Sequence, residues 1–139
     1  MRTLFILLGA FGACAFFALM FHTPRRCVLP CSLVGTAAYG IYLLAGGLLG
    51  SVVAGAFIAS VLIALASELL ARKLKTPAII FASVGIIPLV PGGGLYNTML
   101  YMTQGDYAGA ISEGVSTILI AGCIALSIAL VSSFFRVKR

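Results

Sequence analysis

The chain has 139 residues, of which 62% are hydrophobic and 9% charged, and its mean hydropathy is +1.19. An average soluble domain carries about 25% charged residues, so there is too little polar surface here to cover a water-exposed core, and soluble fold classes are excluded. Nine Lys and Arg against three Asp and Glu give a formal charge of +6, but the basic residues sit in short clusters between long apolar runs, the pattern of loops beside a bilayer and not of a nucleic-acid surface.

Residues 3–21 form the first apolar run. A spanning helix needs about 20 such residues. Met1-Arg2 ahead of the run has the look of a signal peptide, Ala13-Cys14-Ala15 of a cleavage site, and Phe11-Gly12-Ala13-Cys14 of a weak lipobox. Because the run continues to Phe21, a retained membrane anchor is expected. His22-Thr23-Pro24-Arg25-Arg26 is a polar break in which Pro24 favours a turn. From Cys27 to Ala71 the only charge is Glu68, a length that suits two spans. A turn at Gly46-Gly47-Leu48-Leu49-Gly50 predicts helices over 28–45 and 49–71. Arg72-Lys73-Leu74-Lys75-Thr76-Pro77 is the next break. Residues 78–104 are apolar but interrupted by Pro88, Pro91 and Gly92-Gly93-Gly94, and Gly105-Asp106-Tyr107 separates them from a last span over 109–135. The reading is an all-α integral membrane protein, one transmembrane domain over 1–139, with about five transmembrane helices and the fourth broken near 88–94.

Charge distribution orients the chain. With Arg25 and Arg26 in the cytoplasm, two further crossings return it there at Arg72, Lys73 and Lys75. If 78–104 crosses once, Asp106 lies outside and Arg136, Lys138 and Arg139 lie inside, so eight of the nine basic residues are cytoplasmic. A re-entrant loop over 78–104 would put the basic tail outside. Five spans are preferred, with the N-terminus out and the C-terminus in.

The stretch Ile86 to Asn97 is the most informative. Pro88 and Pro91 remove two backbone donors, and Gly92, Gly93 and Gly94 permit the backbone to unwind. Unwound backbone at membrane depth persists only where protein or a water-filled cavity satisfies it. A new helix starting near Gly94 would present free N–H groups and a positive dipole end to an anionic guest, the device by which transporters hold a substrate carboxylate. A kink serving only packing is the alternative. Tyr96, Asn97 and Tyr101 follow the break; Asn97 is a candidate substrate donor or helix cap, and the tyrosines are candidates for either the substrate path or interface anchoring.

Three acids remain. Glu68 follows Ala56, Ser60 and Ala64 at four-residue spacing, a small-residue face suited to close helix contact. It is a candidate proton carrier, with pairing to Arg72 one turn later as the favoured alternative. Glu113 lies inside the last span, with Ser116, Thr117, Cys123 and Ser127 along the same helix; an ionisable group there is costly and usually functional. It is a candidate for proton coupling, against an interfacial acid reaching the headgroups. Asp106 reads as a solvated loop residue. Gly46/Gly50 and Gly105/Gly109 match GxxxG, a weak signal in a Gly-rich chain.

No cofactor or metal is expected. Cys14 and Cys123 lie in apolar runs, Cys27 and Cys31 are four apart near His22, and free Cys behaves as a small apolar residue in helix packing. One His, no Ser-His-Asp set, no HExxH and no GxxxxGK[ST] leave enzymatic chemistry unsupported.

Phe21-His22-Thr23-Pro24, a Gly-containing second helix, and Ile87-Pro88-Leu89-Val90-Pro91-Gly92-Gly93 with Tyr96 downstream resemble the small membrane component of the threonine/serine exporter family, over nearly the whole chain from about Leu8 to Phe135. The resemblance implies a multi-pass protein of the bacterial plasma (inner) membrane. It also implies secondary export of small carboxylate-bearing solutes (threonine and serine, or dicarboxylates), driven by the proton gradient. The matching positions are Pro88, Pro91, Gly92, Gly93 and Tyr96. It further implies a large exporter component as partner, since only the small half is present; assembly with copies of itself is the other arrangement. A structural or assembly subunit without a substrate site, and a passive channel component, are the competing readings.

Overall fold

The computed structural model describes residues 2–137, with side chains described for 3–135. Met1, Lys138 and Arg139, two of them counted in the charge argument, lie outside the described residues. Among the described residues there are six α-helices and no strand: α1 Arg2–Met20, α2 Arg25–Leu49, α3 Val52–Leu74, α4 Ala78–Ile86, α5 Gly92–Thr103 and α6 Tyr107–Val137, with a 3₁₀ turn Ile87–Leu89 after α4. Helices α1, α2, α3 and α6 are each long and apolar enough to cross a membrane. The pair Ala78–Leu89 and Gly92–Thr103, bent by 46°, is the candidate for a fifth crossing.

Two boundaries differ from expectation. Arg25 and Arg26 belong to the first turn of α2, because the reversal is completed earlier by His22 in the left-handed region (φ 53) and by Pro24 at the N-cap position. Gly46 and Gly47 are helical, and the second reversal is confined to Gly50 (φ 62) and Ser51, whose side chain accepts from the Ala54 N–H. The glycines before the turn serve approach. A Cβ on Gly55 would sit 2.9 Å from the Gly46 nitrogen and 3.0 Å from the Tyr42 carbonyl oxygen, so α2 and α3 cross there nearly backbone to backbone.

Helix α2 packs against α1, α3 and α4; α3 packs in addition against α4 and α6; α5 packs against α6. Ala56, Ser60 and Ala64 are buried, so the small-residue face of α3 is its contact face. One core cluster joins Cys14, Ala18, Cys27, Cys31, Phe81 and Val84, which places three of the four cysteines in helix packing. A second joins Ala38, Ala59, Ile63, Leu89 and Ile124. The outward faces are apolar, with Phe5, Phe16, Leu48 and Ile118 all more than two-thirds exposed, which is the surface a hydrocarbon solvent covers.

Candidate functional site

The break is narrower than the glycine run suggests. Gly92, Gly93 and Gly94 form the first turn of α5, and none has a positive φ. The non-helical residues are Val90 (φ −57, ψ 126) and Pro91 (φ −77, ψ 56). Pro91 has no N–H to continue the α4 ladder, so the helix stops before it and can restart immediately after it. The Gly92 N–H folds back on the Val90 carbonyl at 2.7 Å, and the first helical bond of α5 runs from the Leu95 N–H to the Pro91 carbonyl at 3.2 Å. Between them the Gly93 and Gly94 amides have no backbone acceptor among the described residues. They are the free donors of a helix N-terminus, with its positive dipole end.

Gly94 is small for a packing reason. A Cβ there would collide with the Thr117 hydroxyl of α6. Three antiparallel pairs follow in register. Gly94 meets Thr117, Asn97 donates to the Glu113 carboxylate at 3.4 Å, and Gly114 faces Thr98 at close range. The Thr98 and Thr117 hydroxyls return to their own helices, donating to the Gly94 and Glu113 carbonyls at 2.7 Å. At 3.4 Å the Asn97–Glu113 contact is long for a hydrogen bond. Glu113 is the seventh residue of α6, counted from its first residue Tyr107, about 9 Å of rise from the helix start. It is half-buried and has no ion-pair partner among the described residues.

These elements border a half-open cavity of about 600 Å³, within the size range of small-molecule sites. Pro88, Pro91, Gly93, Gly94 and Glu113 line it, together with Ser116 and Thr117. Its far wall holds Tyr39 and Tyr42, stacked at 5.7 Å between ring centroids, and the Gly50-Ser51 turn. Sequence reasoning missed this wall. The available signal was two hydroxyl-bearing aromatics three apart in the otherwise apolar second half of α2, the spacing that shares a face. Among the described residues no Lys or Arg lines the cavity, so its charge pattern there is one acid facing one helix N-terminus.

The remaining candidates lie elsewhere. Tyr96 is 65% exposed and lies off the cavity wall, as does exposed Gly92. Asn97 touches the cavity only through Glu113. Glu68 lines a separate cleft toward the other end of α3. Its expected pairing with Arg72 is not formed. The Arg72 guanidinium lies 4.8 Å over the Phe135 ring and donates to the Phe135 carbonyl at 3.5 Å, because α6 presents both an aromatic face and a C-terminal carbonyl there. Asp106 is exposed, as expected for a loop, and caps α6 by accepting from the Gly109 N–H at 3.0 Å.

No solved structure matches this chain. The family model described as "Threonine/Serine exporter, ThrE" matches residues 6–134, which takes in all but the start of α1, the broken span, Glu113 and all but the end of α6. A multi-pass helical protein with this Pro/Gly break, matched along nearly its whole length, belongs to the threonine/serine exporter family, a family of transporters.

Proposed function

We propose that this chain is the small membrane component of a secondary exporter, and that the cavity at the broken helix is where the solute is held. The observation that carries the reading is the meeting, on one cavity of about 600 Å³, of two unpaired backbone amides and one carboxylate. A small α-amino acid such as threonine or serine is complementary to that pair. Its carboxylate accepts from the Gly93 and Gly94 N–H groups, and its ammonium sits against Glu113. Pro88 and Pro91 hold the helix end open, and Ser116 and Thr117 offer hydroxyls to a solute side chain. A dicarboxylate fits the same cavity only with Glu113 protonated, since two carboxylates facing one another repel.

Glu113 also suits a coupling role. It lies within a span, holds a single long hydrogen bond, from Asn97, and has no ion-pair partner among the described residues, so its carboxylate is open to a cationic solute group. Proton-driven export then follows from competition between the proton and the ammonium for one carboxylate. Basic clusters at Arg25-Arg26 and Arg72-Lys73-Lys75 support the N-out, C-in arrangement with five crossings and a plasma-membrane location. Helix α5 has no buried residue. That unburied length supports a partner, either the large exporter component or further copies of this chain.

The test is efflux of L-threonine and L-serine from cells carrying the complete exporter. Glu113→Gln should lower the rate at least about tenfold, the scale of one lost charge-assisted contact, while membrane insertion is unchanged. Full-rate efflux from that variant overturns the site. Collapse of wild-type efflux by a protonophore supports the coupling, and indifference to it removes the coupling.

A further inference from the structure

The cations of two separate polar breaks meet at one end of the molecule. Arg25 and Arg26 open α2, Arg72 and Lys73 close α3, and Lys75 lies in the short link Lys75-Thr76-Pro77 to α4. The Cys27 thiol is 3.9 Å from the Thr76 hydroxyl, so the first turn of α2 and the α3–α4 link lie side by side. Val28, Leu74 and Ile80 pack on Cys27, Cys31 and Phe81 at the same corner. All five cations are exposed. Arg72 is taken up by the Phe135 ring and carbonyl, which leaves Arg25, Arg26, Lys73 and Lys75 as an exposed basic group. Neither break contains an acid. Asp106 and Glu113 lie at the start of α6, and it is the other end of that helix, at Phe135, that meets Arg72. Cations gathered in this way repel one another, and an anionic surface relieves the repulsion.

Helices α2 and α3 are both long and apolar enough to cross a membrane, so the end they share here lies at a bilayer surface. Directly below the cations the outward faces are hydrocarbon. On α2, Arg26 heads a stripe of Leu29, Leu33 and Ala37 at spacings of three and four, all exposed. On α3, Lys73 heads a matching stripe of Leu69, Leu65 and Leu62, also exposed. An orientation signal requires only that cations stand near one membrane face. This chain in addition brings the cations of two breaks together and mounts them over lipid-facing leucines. A ligand complementary to both features has an anionic head and acyl tails.

We propose that this corner binds anionic phospholipids, with headgroup phosphates against Arg25, Arg26, Lys73 and Lys75 and acyl chains along the Leu29–Leu33 face of α2 and the Leu69–Leu65 face of α3. Recognition is of net negative charge on the phosphodiester, so phosphatidylglycerol qualifies and zwitterionic phosphatidylcholine does not. The inference uses neither the cavity at the broken helix nor the side of the membrane on which the corner lies.

The chain contains no Trp, so one introduced Trp reports on the lipid beside it. In the full-length chain Leu33→Trp places the probe about 10 Å of rise below Arg26, at acyl-chain depth. Leu44→Trp, at a position 67% exposed toward the far end of the same helix, is the control. Each variant is reconstituted into bilayers of phosphatidylcholine and phosphatidylglycerol, with one or the other dibrominated, and quenching gives the relative association constant of the two lipids. At Leu33→Trp phosphatidylglycerol should be preferred roughly fivefold, the scale of one cation–headgroup contact, and at Leu44→Trp the two lipids should bind equally. Adding Arg25→Gln and Arg26→Gln should remove the preference, while Arg25→Lys with Arg26→Lys should keep most of it. Salt at 1 M, where the screening length is about 3 Å, should weaken the preference with every cation in place, an arm that needs no substitution in the basic group. Equal binding of the two lipids at Leu33→Trp, the same preference at both probe positions, or a preference untouched by the double Gln variant overturns the proposal. Retention of the chain on polyglutamate without any lipid preference assigns the corner to an acidic protein and overturns it too. Unchanged efflux in Glu113→Gln would remove the solute site and leave this result standing.

Discussion

Helices α4 and α5 lie on either side of the Pro88–Pro91 break, and they have opposite relations to the rest of the molecule. Helix α4 buries Phe81, Ala82, Val84 and Gly85 against α2 and α3. Helix α5 buries nothing fully and leans on α6 alone. A continuous rod would have to serve both neighbourhoods with one axis. The 46° bend at Val90-Pro91 lets the first half complete the core while the second half sets the wall of a cavity. The difference teaches that the break partitions labour: the buried core contacts lie before it, and the backbone amides that face the cavity lie after it.

That contrast can be tested by substitution, with the largest effect expected before the break. Phe81 is fully buried, and Phe81→Ala should cost about 3–5 kcal/mol, as large aromatic truncations in a core do. The thermal midpoint in detergent would fall accordingly, and a shift no larger than that of a surface variant would remove the distinction between the two halves. Next comes Gly94→Ala, whose new methyl meets the Thr117 hydroxyl; about 1–3 kcal/mol is expected for this overpacking, with recovery in the double variant carrying Thr117→Ala. Absence of rescue would mean that α5 and α6 are not in the register described. Asn97→Ala removes one long contact to Glu113, for which about 0.6 kcal/mol is typical between membrane helices; efflux should fall by only a few-fold, against the larger loss in Glu113→Gln. Smallest of all, Gly92→Ala should be neutral to within about 0.5 kcal/mol, because a Cβ there meets nothing within 4 Å. If Gly92→Ala destabilises as much as Gly94→Ala, the glycine run is needed for backbone freedom and not for space.

The apolar runs and the proline break were legible because each is a local property. Hydrocarbon demands apolar side chains over a set length, and proline stops a helix wherever it falls. Helix ends were less so. Gly46 and Gly47 read as a turn because glycine is common both in turns and at close helix crossings, and only the position of Gly55 across the interface tells the two apart. The same ambiguity affected Gly92 to Gly94, where one glycine of three is required by a neighbour 23 residues away, at Thr117. Glu113 and Asn97 were each noticed separately, and their contact depends on the register of α5 against α6, which no local pattern encodes. Tyr39 and Tyr42 entered the site from a helix two turns of chain removed from any motif. Glu68 was expected to pair with Arg72, four residues on, and the nearer competitor proved to be Phe135 on another helix.

The close crossing of Gly55 on Gly46 bears on how the protein is made. Helices α2 and α3 are joined by only Gly50 and Ser51, so they can meet as soon as both have left the ribosome and entered the bilayer, without waiting for later segments. That hairpin already carries Tyr39, Tyr42 and Ser51. Glu113 of α6 follows that hairpin in the chain, so one wall of the cavity can form before the acid that lines the same cavity is delivered.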